Sequence, residues 1–281
     1  ILRCLVGSEM CIRDSMFLVL QFIMTNHKNI YKAAEDTLRF AGTSVLAAAM
    51  SAFLLIPAYI GLNTTASATR HYPNWEWYGS IWDMIKQMFV FTPPIKSQGF
   101  DGGVNLYCGT FAILLIGIYI FNTKIKWYEK LKNIILLVFL MMSFNNVLLN
   151  YIWHGFHDQY GIPNRFSFLF IFVLLSMGYE AVVNIDRKQV VGVMAGIIVA
   201  FGFLVYADKN IEFDKTVIML TWGLFVTYSI VMMLMSMLKG KGRFVMSIVM
   251  AVLCLTEVVF SAGKGYESNG TVYIPDYYGD A

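Results

Sequence analysis

The sequence predicts an all-α fold, a polytopic bundle of transmembrane helices, and three observations carry that expectation. Hydrophobic residues make up 58% of the chain and charged residues only 14%, where a soluble domain carries about a quarter. Several apolar runs approach or pass the roughly eighteen residues needed to cross a hydrocarbon core. The short polar stretches between those runs alternate between basic and acidic character. Counting runs gives about seven full spans plus one truncated helix.

Residues 1–15 stand apart. Their apolar part is too short and too interrupted for a signal-peptide core and lacks a small-residue cleavage site. The stretch Ile1-Leu-Arg-Cys-Leu-Val-Gly-Ser-Glu-Met-Cys-Ile-Arg-Asp-Ser15 is similar to translated sequencing-adapter sequence joined to an unrelated reading frame. It is therefore set aside as an artefactual tail. Met16 to Met24 then reads as the end of a truncated helix in an internal fragment.

Phe40 to Leu62 is long enough to span. Its Gly, Ala and Ser content suits close helix packing, and Pro57 is expected to kink its far end. In the long loop that follows, Tyr78, Ile81, Trp82, Ile85, Met88 and Phe89 share one helical face, opposite Ser80, Asp83, Lys86 and Gln87. Such a helix either lies in the headgroup plane or packs over the bundle. Pro93-Pro94, Gly99, Gly102 and Gly103 break regular structure before the next span.

Further spans are expected at Asn105–Phe121, Asn133–Ile152, Phe166–Ile185, Val190–Tyr206, Thr216–Leu238 and Phe244–Ala262. Residues 16–262 thus form one transmembrane domain, and 263–281 begin a polar, aromatic extracytoplasmic segment. Lys28, Lys32 and Arg39, then Lys124, Lys126, Lys130 and Lys132, then Arg187 and Lys188, then Lys239, Lys241 and Arg243 fall in alternate loops. The positive-inside rule puts these in the cytoplasm. Residues 63–104, 153–165, 207–215 and 263–281 then face outward. The cysteines have no metal-site or disulfide spacing.

Chemistry concentrates in the hairpin from Asn150 to Arg165. His154, His157, Asp158 and Arg165 lie within it, with Trp153, Phe156 and Tyr160 between them. A His beside a carboxylate acts as a general acid or base, so His154, His157 and Asp158 are the acid–base candidates. An Arg at the mouth of a helix can fork onto a phosphate. Arg165, Asn164, Tyr160, Trp153 and Asn150 are the candidate substrate contacts there. The same residues also suit an ordinary short loop with interfacial aromatics. Two His and one Asp at this spacing match no standard zinc set, and no metal is expected.

Asn145, Asn146 and Asn150 lead into the hairpin, with Asn146 and Asn150 on one face at i, i+4. They line a polar cavity or bond between helices. Glu257 lies more than one turn inside the last span and is a further substrate-binding candidate; a structural pairing with Arg or Asn is the alternative. Glu180 can snorkel to the cytoplasmic surface. Walker loops, dinucleotide fingerprints, Gly-x-Ser-x-Gly elbows and Cys-x-x-Cys pairs are missing from the sequence. Soluble nucleotide chemistry and nucleic-acid binding are not expected.

Asn105-Leu-Tyr-Cys-Gly-Thr110 and His154-Gly-Phe-His-x-x-x-Gly-x-Pro-x-Arg-x-Ser-Phe168 resemble motifs of the bacterial YfhO-type membrane proteins, as do the order of spans and the Leu-Ile-Pro57 helix end. The resemblance covers the chain from about Met16 onward and implies a GT-C-like fold. It implies a glycosyltransferase that takes a sugar from a polyprenyl-phosphate carrier and adds it to teichoic acid or a similar surface polymer. The reaction would run at the outer face of the bacterial plasma membrane, with no cofactor beyond the lipid-linked donor. Members usually place their catalytic acid in the first outward loop, which is expected to precede Met16. A transporter or flippase of lipid-linked sugars, and a non-catalytic accessory membrane protein, are the rival readings.

Overall fold

The computed structural model describes residues 30–62, 72–95, 103–154 and 164–269. Every regular element among them is helical, and the one isolated β-bridge pairs Trp77 with Asn146. The chain forms two compact units, Ile1–Glu76 with Val147–Gln159, and Trp77–Asn146 with Tyr160–Ala281. The expected span at Met16–Met24 lies outside the described residues.

The first unit contains α1 (Ile30–Leu62) and a short helix that returns from the second. At about 1.5 Å per residue, α1 is about 50 Å long, so it begins in the polar segment before the apolar run. Glu35 and Arg39 pair at 2.6 Å across one turn, and the hydroxyls of Thr43, Ser44 and Ser51 bond back to carbonyls of the preceding turn. These bonds let small polar side chains sit on a lipid-exposed helix without an orphaned group. Nothing lies within 4 Å of a Cβ built on Gly42 or Gly61. No residue of its Thr37–Pro57 stretch is buried. The helix continues through Pro57 to Leu62.

The second unit is built around α3 (Thr110–Phe121). With α2 as Ile81–Lys86, the other helices are α4 (Trp127–Asn145), α6 (Ser167–Val183), α7 (Val190–Asn210), α8 (Lys215–Met237) and α9 (Gly240–Asn269); α5 (Val147–Trp153) belongs to the first unit. Helix α3 packs on α6, α7 and α8, and α9 packs on α8.

The tightest approach is between α3 and α7. A Cβ on Gly117 would sit 2.3 Å from the Gly196 carbonyl oxygen, and one on Gly196 would sit 2.6 Å from the backbone of Ile118. Gly192 approaches the Phe121 carbonyl in the same way, and Ala200 meets Gly117. Gly192, Gly196 and Ala200 fall at i, i+4 and i+8 and form a smooth stripe. In hydrocarbon the apolar effect does not drive helices together, so close backbone approach supplies dispersion energy that larger side chains would prevent.

Four described helices are long and apolar enough to cross a membrane: Thr37–Pro57, Arg187–Asn210, Lys215–Met237 and Gly240–Glu267. The expected count of about seven spans is not reached by this measure. Helices α3 and α6 are apolar but short, at 12 and 17 residues. The first shortfall has a local cause, because residues 103–109 form no helix and Gly109 has φ +102°. A helix of α3's length covers about 18 Å of a hydrocarbon core about 30 Å thick.

The amphipathic segment packs over the end of this bundle. Ser80 caps α2 by accepting the Trp82 N–H at 3.2 Å, with Asp83 in the first turn and Lys86 in the last, charges that complement the helix dipole. Trp82 stacks on Tyr206 at 5.4 Å and Phe89 on Phe213 at 4.5 Å. Met84, Met88, Phe89 and Val90 are buried. Packing over the bundle is therefore its role in this unit, while Ile81 remains exposed.

Candidate functional site

The hairpin is described only at its two ends. His157, Asp158 and Tyr160 lie outside the described residues. On the approaching side, α5 carries Asn150 and Trp153 and leads into His154, and all three are buried. The His154 ring Nδ1 lies 2.9 Å from the Asn150 carbonyl oxygen. A carbonyl only accepts, so in this contact Nδ1 carries the proton and Nε2 is the basic nitrogen. Elsewhere in this unit the Val147 N–H donates to the Glu76 carbonyl at 2.9 Å, and Tyr72 and Tyr151 stack at 5.9 Å.

Asn146 and Asn150 do not share a helical face. The chain leaves helical geometry at Asn146, with φ −92° and ψ 125°, and Asn146 bridges to Trp77 instead. The reason is competition for backbone groups. The Asn145 carbonyl accepts the Tyr78 N–H at 2.8 Å, while the Asn145 side chain accepts the Gly79 N–H at 3.1 Å and donates to the Gly79 carbonyl at 2.9 Å. These bonds end α4 by tying it to the segment before α2.

On the departing side, Asn164 is buried and has φ +49°, a left-handed conformation that Asn tolerates better than most residues. Its Nδ2 donates to the Gly103 carbonyl at 2.7 Å and to the Phe144 carbonyl at 3.3 Å. Asn164 thus fixes where the chain turns into α6, and half-buried Arg165 follows directly. A cavity of about 270 Å³ lies next to this anchor, lined by Tyr78, Gly79, Ser80, Asp83, Gly103 and Asn145 among others. In the sequence Asp83 stands out only as part of a polar face; in the structure it is an exposed carboxylate lining that cavity.

Glu257 occupies a different place. It is 5% exposed on α9, and its carboxylate is enclosed by donors from two other parts of the unit. Oε1 accepts the Tyr107 hydroxyl at 2.8 Å and the Thr110 N–H at 2.7 Å. Oε2 accepts the Tyr228 hydroxyl of α8 at 2.6 Å. Gly109, the residue before α3, offers no side chain to cap the helix. Glu257 supplies that cap from 147 residues away. A carboxylate at a helix N-terminus satisfies an orphan N–H and opposes the positive end of the dipole. Its partners are therefore two Tyr and a backbone amide, neither Arg nor Asn.

This cage accounts for the Asn105-Leu-Tyr-Cys-Gly-Thr110 motif. Asn105 bonds both backbone groups of Ile95, accepting its N–H at 2.9 Å and donating to its carbonyl at 3.2 Å. Tyr107 and Thr110 hold Glu257, and Gly109 takes the positive φ that starts the helix. Sequence reasoning misses the buried cap, although the motif holds two of its three donors and is the signal that points to it. Cys108 and Cys254 are free, and among the described residues no group of three His, Cys, Asp or Glu side chains is placed to hold a metal.

Asp83 and Asn145 therefore line one cavity with Gly103, whose carbonyl Asn164 holds, and Arg165 follows Asn164 in the chain, while Glu257 anchors α3, α8 and α9 together. No curated protein and no solved structure matches the chain. The match that exists is to a family model, that of the bacterial membrane protein YfhO, over residues 10–271, and the chain belongs to that family.

Proposed function

We propose that the protein is a GT-C-type membrane glycosyltransferase that moves a sugar from a polyprenyl-phosphate carrier to a surface polymer such as teichoic acid. In this reading Arg165 takes the donor phosphate as the glycosidic bond breaks, because a positioned guanidinium stabilises the charge developing on a leaving phosphate. His154 or His157 assists as acid or base, and Asp158 orients a His or a sugar hydroxyl. Trp153, Tyr160 and Asn150 contact the sugar.

The observation that carries this reading is the anchoring of Asn164 on two backbone carbonyls, which sets Arg165 at the start of α6 in a family-matched membrane chain. Asn164 thereby fixes the backbone from which the guanidinium reaches, and a fixed origin is what preorganised charge stabilisation requires. The test is sugar transfer by purified full-length protein in liposomes, with a labelled polyprenyl-phosphate sugar as donor. Arg165→Ala is expected to abolish transfer while membrane insertion and yield stay at the wild-type level. Equal loss of insertion would make Arg165 a structural residue.

A further inference from the structure

A second cavity system lies beside α6 and α9. At the end of the bundle where α3 begins, a cavity of about 300 Å³ is lined by Gln87, Thr92, Asn105, Tyr107, Ser261 and Lys264 among others. A further cavity of about 340 Å³ lies between Ile171 and Leu175 of α6 and Val258 and Ala262 of α9. The two share Tyr107, Ile171 and Ser261, so they adjoin as the two parts of a cleft. Both parts are lined mainly by apolar groups, and the outer part adds the polar side chains of Gln87, Thr92 and Asn105 and one lysine, Lys264.

We propose that this cleft seats a single phospholipid, with the phosphate headgroup at Lys264 and an acyl chain between α6 and α9. The inference rests on the membrane-spanning reading and not on sugar transfer. Three features support it. Polar side chains gather at the Lys264 end and thin out between the apolar helices α6 and α9, as polar groups do along a lipid. Lys264 is the one charged group among the lining residues of both cavities, and a lysine attracts anionic headgroups. Lys264 also pairs with Glu267 at 3.0 Å. Both side chains are more than half exposed, so that pair contributes little and yields readily to a phosphate.

The back wall of the cleft is rigid. Tyr107 belongs to it and is held from behind by Glu257, so the cleft keeps its shape between lipid exchanges. A larger groove of about 370 Å³ beneath α2, lined by Ile81, Ile85, Ile113, Leu174 and Phe203 among others, has no charged lining residue. That groove admits hydrocarbon without headgroup selection, and it serves as the internal control.

The test uses the full chain in phosphatidylcholine nanodiscs containing a trace of photoreactive phosphatidylglycerol, with labelled peptides mapped after irradiation. Label is expected at residues 171–175 and 258–265. Lys264→Ala should reduce it roughly fivefold, the factor expected for one basic residue beside an anionic lipid, and Lys264→Arg should retain it. Ser261→Trp should block it by filling the junction. Photoreactive phosphatidylcholine should label independently of Lys264. Label spread evenly over the lipid-facing helices, or unchanged in both Lys264→Ala and Ser261→Trp, would overturn the proposal. Displacement of the label by inorganic phosphate alone would overturn the assignment to a lipid.

Discussion

At its first turn α3 receives the buried carboxylate of Glu257, and at its last turn it receives the half-buried ammonium of Lys130, which donates to the Ile120 carbonyl at 2.6 Å. Both charges complement the helix dipole. They differ in what surrounds them. Around Glu257 the partners are enclosed hydroxyls and an amide contributed by the loop before α3, by α3 itself and by α8. Around Lys130 the fastening is distributed: Gln189 accepts the Thr123 N–H at 3.1 Å and donates to its hydroxyl at 2.7 Å. Asn122 donates to the Ala181 carbonyl at 3.4 Å, and Lys124 pairs with Asp186 at 2.8 Å.

The difference teaches which end is replaceable. At the C-terminal end Lys130, Lys124 and Asp186 are partly exposed, so water can take over their bonds and each contributes modestly, while buried Asn122 and Gln189 hold the same end independently. At the Glu257 end Thr110 and Tyr228 are fully buried, so removing the carboxylate leaves their two donors beyond the reach of water, while half-buried Tyr107 is a third that the cleft can still solvate. The α3 N-terminus is also the end that carries Tyr107 and the cleft beside α9.

The largest effect is therefore expected for Glu257→Met, at roughly 3–5 kcal/mol of destabilisation, read from reversible unfolding in mixed micelles. Glu257→Gln keeps one acceptor oxygen and should lose less; equal losses would show that charge, and not acceptor count, governs this end. Next comes Gly196→Leu, which drives a side chain into the backbone of Ile118 and should cost roughly 1–3 kcal/mol by overpacking. The same change at Gly223, where nothing lies within 4 Å, should be nearly neutral.

Lys130→Met should cost about 1 kcal/mol, and unfolding measurements that place it level with Glu257→Met would erase the contrast between the ends. The smallest effect concerns pH. Pairing with Lys124 holds the Asp186 carboxyl below its ordinary value of 3.8. A depressed folded value contributes stability above the unfolded value and loses it as pH falls through the folded one. Lys124→Met should therefore lower the melting temperature slightly at neutral pH. The gap from wild type should close as samples are acidified below the ordinary carboxylate range.

The helical class and the membrane location were legible in composition and in the length of apolar runs, because both are local properties. Glu257 was legible as an intrusion, since a charge inside an apolar run is visible without knowing its neighbours. Its partners were not, because Tyr107, Thr110 and Tyr228 are brought to it by tertiary folding over 29 to 150 residues. The break at Asn146 was hidden for a similar reason: helical periodicity continues through it, and only the distant Trp77–Gly79 segment withdraws the backbone groups. The small-residue stripe of α7 was readable as Gly192, Gly196 and Ala200 in register, yet α1 offered a richer small-residue composition. At the candidate hairpin the residue types were readable. The roles of Asn164 and Asp83 depended on the cavity beside Gly103 and Asn145.

The most direct test of the unequal ends of α3 is amide hydrogen exchange across Gly109–Ile113 in the reconstituted protein, comparing wild type, Glu257→Met and Lys130→Met. Glu257→Met should strip protection from the first turn of α3 and from the facing turns of α8 and α9 together, while Lys130→Met should leave that end protected. Unchanged protection at Thr110 in Glu257→Met would contradict the assignment of Glu257 as the cap that holds α3 in place.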